Sequence, residues 1–409
     1  VLLLVGLFYD PILIDSFDYP KQALFNVMVS VLLGLGVVRV FVRPKDEPKQ
    51  TTGIDLWLVG LVSVMLLSTI FSLNKPASLF GIHGRVGGSL YSFFHYLAWF
   101  YLAFTVARCK KNGQVILGLI ALIGALQSLI GVWQRLGWDI IGQGIETVAL
   151  GTFGNQIALG FAALAGLGAA LTMFLLEQKS SKQKYIYILL AALCLAGLAA
   201  VNSVLIWIMG FLLVSFVLLA AWRLEIDLKT ERLVLLVLAL LSVVLLLVFA
   251  TPWLGFGSWP LSLYNIHSSF GWDGAAHIAR QNPWLGTGPE TFSLVYPLFK
   301  PVSLNLGSGW FLPITYPGSE FLAVLANLGY LGVLAYLAFF YFALKKVWLI
   351  AQSQKSLEKY FLFALVALTV GLWFIAGNSF WQQIIFWLGL AYALVSGYEE
   401  TKTEKTPLK

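Results

Sequence analysis

Long apolar runs separated by short clusters of charge make up most of the chain. Reading those runs predicts twelve spans, near residues 1–14, 22–42, 54–72, 89–107, 114–134, 152–176, 185–201, 204–222, 233–251, 319–344, 359–377 and 380–397. Most approach the ~20 residues that a helix needs to cross about 30 Å of hydrocarbon. The apolar stretch 185–222 is too long for one crossing, and Asn202–Ser203 in its middle predicts a tight hairpin. Residue 1 is Val and the first run stops at Asp10–Pro11, which reads as a short or incomplete first helix behind a trimmed start rather than as a signal peptide. The expected fold is therefore an all-α integral membrane protein of about twelve transmembrane helices. It divides into an N-terminal bundle over 1–251, one large loop over 252–318, C-terminal spans over 319–397 and a tail over 398–409, in one membrane domain.

Composition fits that class. Hydrophobic residues fill 59% of 409 positions and charged residues only 11%, with a mean hydropathy of +0.84. Soluble domains carry about a quarter charged residues. The two cysteines, Cys109 and Cys194, form no metal-binding or disulfide pattern, so no metal and no cofactor is expected. Lysine and arginine orient the bundle: 20 of 26 fall in loops on one side, leaving Lys21, Lys75, Arg85, Arg135, Arg280 and Lys300 on the other. Cytoplasmic loops are the basic ones, which places both termini in the cytoplasm and the large loop outside a bacterial inner membrane. The net charge of +7 thus expresses topology rather than nucleic-acid binding.

The large loop holds the most polar sequence on the outer side. Within "GWDGAAHIARQNPWLGTG", a short amphipathic helix is predicted over 271–281, ending at Asn282–Pro283. Asp273, His277 and Arg280 share one helical face by their spacing, with Trp272, Ala276 and Ala279 facing the membrane surface. The following "NPWLGTGPETF" is a run of turn formers, in which Gly286 and Gly288 permit positive φ or a close approach to a ligand. A second outer loop, "SLNKPASLFGIHGRVGGSL", sets His83 and Arg85 among four glycines. An arginine there suits an anionic headgroup or a diphosphate, whose oxygens a guanidinium binds as a fork; it equally suits a plain interfacial anchor. Ionisable groups inside spans are scarce, with His95 the clearest and Gln127, Gln156, Gln382 and Gln383 as polar companions. No Asp/Glu/Lys relay crosses the bundle, which argues against an ion-coupled transporter.

Four stretches in order resemble the O-antigen ligase/polymerase superfamily of membrane glycosyltransferases. They are "LSTIFSLNKPASLFGIHGRVGGSLYSF", "ALGTFGNQIALGFAAL", "WDGAAHIARQNPWLGTGPETF" with its P-x-x-G-x-G-x-x-x-F pattern, and "EFLAVLANLGYLGVLAYL". The resemblance implies inverting transfer of a glycan from a polyprenyl-diphosphate carrier to a glycan or glycolipid acceptor, at the outer face, without a metal. The bilayer and these two substrates are the implied partners. Arg85 and Arg280 match positions that contact the lipid diphosphate, His83 lies beside the first of them, and Gly286, Gly288 and Phe292 match loop-shaping positions.

The chain also departs from that pattern. Gly318 and Ser319 stand where the family places His-Asn, Asn327 where it places an acid, and Ser203 lacks the arginine that usually follows. Ser268 and Ser269 occupy the region of a further expected arginine. The base must then come from elsewhere: His277, Glu320 and Glu290 are the main candidates, with His83 and His267 behind them. The alternative reading is a non-catalytic protein that binds or transports the lipid-linked glycan.

Overall fold

The computed structural model describes residues 1–13, 15–42, 51–82, 86–108, 110–138, 148–177, 181–201, 203–226, 261–300, 302, 306, 314–377 and 379–395. The predicted span 233–251, the loop residues 252–260, the tail 398–409, and both His83 and Arg85 lie outside the described residues. So does the side chain of His267.

Helices make up the fold, and among the described residues eight are long and apolar enough to cross a membrane. They begin with α1 (Leu2–Leu7), α2 (Asp18–Val42), α3 (Asp55–Ile70), α4 (Lys75–Phe80), α5 (Leu90–Ala107) and α6 (Lys110–Arg135). After a 3-10 turn at Gly151–Phe153 come α7 (Gln156–Leu176), α8 (Ser181–Val201) and α9 (Val204–Arg223). The large loop contributes α10 (Leu261–Gln281) and the single turn α11 (Phe292–Val295). The chain returns through α12 (Glu320–Gln354), α13 (Leu357–Ile375) and α14 (Phe380–Leu394). The eight long helices are α2, α5 to α9, α12 and α13; α3 and α14 are shorter apolar helices, and α1 has only six residues.

The predicted break in 185–222 falls where expected, between Val201 and Val204. Elsewhere the elements run differently from the apolar runs. The tenth predicted span, 319–344, continues to Gln354 because Lys345 and Lys346 are good helix formers. Charge there marks the end of the apolar run rather than the end of the helix. Lys355, at φ 48°, closes it in the left-handed region.

Small residues set the packing. α7 lies at the centre, with 89% of its apolar window buried against 28% for α2 at the rim. A Cβ added to Gly124 of α6 would come within 2.7 Å of the Gly166 Cα, so α6 and α7 touch backbone to backbone. Close backbone approach of this kind is how helices associate where no hydrophobic drive separates protein from lipid.

One end of the bundle is defined by capped helix starts. Ser89 caps α5, Asn155 caps α7, Ser319 caps α12, and Ser379 with Gln382 forms a capping box on α14. The Asp15 carboxylate accepts from the Phe17, Asp18 and Tyr19 amides at the start of α2. These side chains satisfy N–H groups that have no partner within their own helices.

Candidate functional site

The opening of the site lies in a discontinuity. α12 is non-helical at Gly329, with φ 66° and ψ −164°. The Ala326 and Asn327 carbonyls and the Tyr330 and Leu331 amides therefore lose their partners within the helix. The large loop replaces all four bonds. Thr287 N–H donates to the Ala326 carbonyl at 3.1 Å and Gly288 N–H to the Asn327 carbonyl at 2.9 Å. In return, the Pro283 carbonyl accepts from Tyr330 N–H at 2.7 Å and the Trp284 carbonyl from Leu331 N–H at 3.2 Å. A broken helix in an apolar bundle persists only where such groups are satisfied again.

This clasp explains the glycines of "NPWLGTGPETF". A Cβ on Gly286, at φ 64°, would sit 2.3 Å from the Asn327 carbonyl carbon. One on Gly288, at φ 112°, would sit 2.1 Å from the Ser72 hydroxyl. Both glycines thus make their close approaches to the protein itself. Ser68 donates to the Leu285 carbonyl at 2.8 Å, and Ser78 to the Pro289 carbonyl at 2.9 Å. Asn327 accepts from Phe292 N–H through its side-chain oxygen at 3.0 Å. The turn is held from three directions, and it delivers one side chain.

That side chain is Glu290. Its backbone is left-handed, at φ 55°, and it is buried. Its carboxylate accepts from Gly88 N–H at 2.7 Å, which joins the large loop to the glycine turn at the start of α5. The Val86 carbonyl in the same turn accepts from both Ser89 and Ser92, each at 2.7 Å. Gln22 of α2 donates to the Ser92 hydroxyl at 2.8 Å and to the Tyr96 hydroxyl at 3.3 Å. A Cβ on Gly88 would come within 2.3 Å of the Glu290 carboxylate, so any larger residue there displaces that carboxylate.

These groups wall a cleft of about 100 Å³ between α2, α5, α12 and α14. Its lining includes four carboxylates, Asp15, Asp18, Glu290 and Glu320, together with Tyr19, Gln22 and Gln383. Beneath it opens an aromatic chamber of about 50 Å³, walled by Phe93, Tyr336, Phe340, Trp373 and Trp387 among others. Gly87, Gly88, Tyr96, Glu320 and Gln383 line both, so the two adjoin. Glu320 begins α12, and the Tyr316 hydroxyl donates to its carboxylate at 2.9 Å.

The structure thus brings together two of the three main base candidates, Glu290 and Glu320. His277 stands apart: it is exposed on α10, its Nδ1 lies 2.8 Å from the Asp273 carbonyl, and it lines neither the cleft nor the chamber. Asp273 and Arg280 are exposed with it, so the predicted polar face exists. Arg280 is not part of the cleft lining either.

The other face of α10 differs from expectation. Gly271, Gly274, Ala275, Ile278 and Ala279 form a buried arc: Ala275 and Ile278 cluster with Tyr296, Phe292, Leu322 and Ala326, while Gly274 abuts Tyr296 and Gly271 abuts Pro317, so this face packs on protein rather than on a membrane surface. Trp272, one position outside that arc, is 54% exposed. Burial and the nearby Asp273 carboxylate hold the Tyr296 phenol above its ordinary range, so Tyr296 is neutral there.

Several polar positions of the spans turn out to be structural. The Gln127 amide binds the Gly6 carbonyl and both the amide and hydroxyl of Thr152. Buried Lys21 donates to the Thr152 carbonyl, and Gln134 accepts from the Leu150 and Gly151 amides. Together they fix the "GTFGN" turn. His95 lies 3.1 Å from the Ser30 hydroxyl and against the Tyr91 ring. Asp15, Asp18 and Tyr316 carry no signal in the sequence, where they read as ordinary loop residues. Among the described residues no three His, Cys, Asp or Glu side chains group as a metal site. No family model and no curated protein matches the chain.

Proposed function

We propose that the cleft transfers a glycan from a polyprenyl-diphosphate carrier to a hydroxyl acceptor, with inversion, on the extracytoplasmic face of a bacterial inner membrane. The observation that carries this reading is the position of Glu320. It faces a polar mouth on one side and an aromatic chamber on the other, as a base working on an amphipathic, lipid-linked substrate must. The resemblance to the O-antigen ligase/polymerase superfamily, carried by the ordered motifs alone, points to the same chemistry.

In this reading Glu320 takes the proton of the acceptor hydroxyl as that oxygen attacks the anomeric carbon. The bond from that carbon to the diphosphate oxygen breaks, and its electron pair leaves with the diphosphate. A positioned general base of this kind contributes roughly 10²- to 10⁴-fold in rate. Glu290 holds the glycine turn at Gly87–Gly88 in place, and Gly286 and Gly288 shape the loop that presents it. The leaving diphosphate carries charge that cations must stabilise, and the described lining of the cleft offers carboxylates and no Lys or Arg. Arg85, which directly precedes Val86 in the chain, is assigned that task, with His83 beside it. Arg280, exposed at the end of α10, is assigned to capture of the anionic carrier on approach.

A transporter would need a continuous polar path, whereas the polar cleft ends on an aromatic floor. The enzyme reading is therefore favoured over transport. The test is transfer in liposomes with lipid-linked oligosaccharide extracted from the source membrane. Arg280→Ala should raise the donor concentration at half-maximal transfer at least tenfold with the maximal rate kept within threefold. A fall in maximal rate alone would remove Arg280 from capture. Donor binding without transfer to any acceptor would favour the non-catalytic alternative.

A further inference from the structure

A glycosyl transfer joins two substrates, and the cleft accounts for one. Across Tyr316 from the cleft lies a larger groove of about 450 Å³, between the "GTFGN" turn, the segment before α12 and the hairpin between α13 and α14. It falls within the roughly 300–1,000 Å³ of small-molecule sites. We propose that this groove seats the glycan acceptor, as a neutral polyhydroxylated chain; the proposal rests on the transferase reading above.

The wall between the two spaces is one hydrogen bond thick. Tyr316 lines the groove, its hydroxyl donates to Glu320 at 2.9 Å, and Glu320 lines the cleft. An inverting displacement brings the incoming oxygen to the side of the anomeric carbon opposite the leaving diphosphate. Donor and acceptor must therefore approach the reacting carbon from two directions, and Tyr316 on the groove side meets Glu320 on the cleft side. The acceptor hydroxyl gives its proton to the Glu320 carboxylate and forms the new bond to carbon, while the diphosphate departs with the old pair.

The lining of the groove differs in kind from that of the cleft. It offers Asn155, Gln156, Thr315 and Tyr316 beside Leu150 and Ile157, and among its described residues none is charged. Amides and hydroxyls bind sugar hydroxyls, and apolar side chains with a phenol ring meet the C–H faces of sugar rings. A diphosphate would find no cation there. The site is also built in advance. Asn155 is held as the cap of α7, accepting from Ile157 N–H at 2.7 Å, which aims its amide N–H groups away from the helix. The Tyr316 ring is confined by Gly377, where an added Cβ would come within 2.9 Å of it. Glu320 N–H to the Ala376 carbonyl, at 3.3 Å, ties the two walls together. The Gln156 side chain lines the groove half-buried, with no side-chain hydrogen bond among the described residues, so a larger side chain there fills the groove.

The experiment pairs two variants with two probes: lipid-linked oligosaccharide from the source membrane as donor, and the free oligosaccharide released from it by mild acid as acceptor. Gln156→Trp should raise the acceptor concentration at half-maximal transfer at least tenfold while donor binding stays as in the wild type. Thr315→Cys, in a Cys109→Ser background, should react with a water-soluble maleimide, and free oligosaccharide should slow that reaction where undecaprenyl diphosphate does not. Unchanged acceptor dependence in Gln156→Trp, or labelling that free oligosaccharide fails to slow, with donor binding intact, overturns the groove assignment alone. Absence of donor binding by the wild-type protein overturns the transferase reading, and the groove assignment falls with it.

Discussion

Glu290 occupies a backbone conformation that non-glycine residues avoid, at a cost of roughly 1–3 kcal/mol. What offsets that cost is the carboxylate's bond to Gly88 N–H across two loops distant in sequence. Replacing Glu290 by glycine should relieve the strain and release the turn together. Glu290→Gly should melt within a few degrees of the wild type, yet lose at least tenfold in glycan transfer. A melting temperature that drops sharply would instead make Glu290 a structural residue. Part of this scale was readable in the chain: the acids of the outer side put Glu290 and Glu320 among the candidate bases, and four glycines marked the loop before α5. What could not be read is which polar faces point at one another. The spacing of Asp273, His277 and Arg280 correctly gave a shared face on α10, but nothing local tells whether a face looks at a cavity or away from it. Asp15 and Asp18 give no such signal for the same reason: Asp15 binds neighbouring amides, and the cleft that both line is completed by residues far away in the sequence.

At the scale of elements, the pairing of the large loop with the break in α12 decides where the acids sit. Four backbone bonds cross between 283–288 and 326–331, and Gly286 and Gly329 leave space for them. A Cβ on Gly329 would sit 2.6 Å from the Pro283 carbonyl oxygen, at φ 66°. Gly329→Ala should therefore cost at least ~1–3 kcal/mol, read as a melting temperature lowered by several degrees in detergent, with transfer lost as Glu290 shifts. An unchanged melting temperature would mean that the loop is not clasped there. The sequence signalled the glycines without signalling the break. Apolar periodicity runs on through both sides of Gly329, and glycine is common enough in membrane helices to pass unremarked. The caps do carry a local signal, although the predicted spans did not use it: Ser89, Asn155, Ser319 and Ser379 each precede an apolar run in the manner of a helix start.

Over the whole molecule, the starts of α2, α5, α12 and α14 gather round the cleft, at the end of the bundle that the lysine and arginine count assigns to the outside. That sidedness has a direct check. In a cysteine-free background, exposed Asp273→Cys should react with a membrane-impermeant maleimide applied to intact cells, and exposed Gln352→Cys should react only after the cells are opened. Equal reactivity of both from outside would refute the orientation. The architecture of apolar spans was legible because lipid imposes a length and a composition on each crossing. The depth of the cleft was not, since it depends on which helices become neighbours.

Glu320 is the residue on which the account turns, and replacing its carboxylate by an amide of the same shape tests it most directly. Glycan transfer and donor binding should be measured side by side in liposomes for the wild type and Glu320→Gln. The account predicts transfer reduced at least a hundredfold with donor binding kept within threefold. Transfer at the wild-type rate in Glu320→Gln would contradict it.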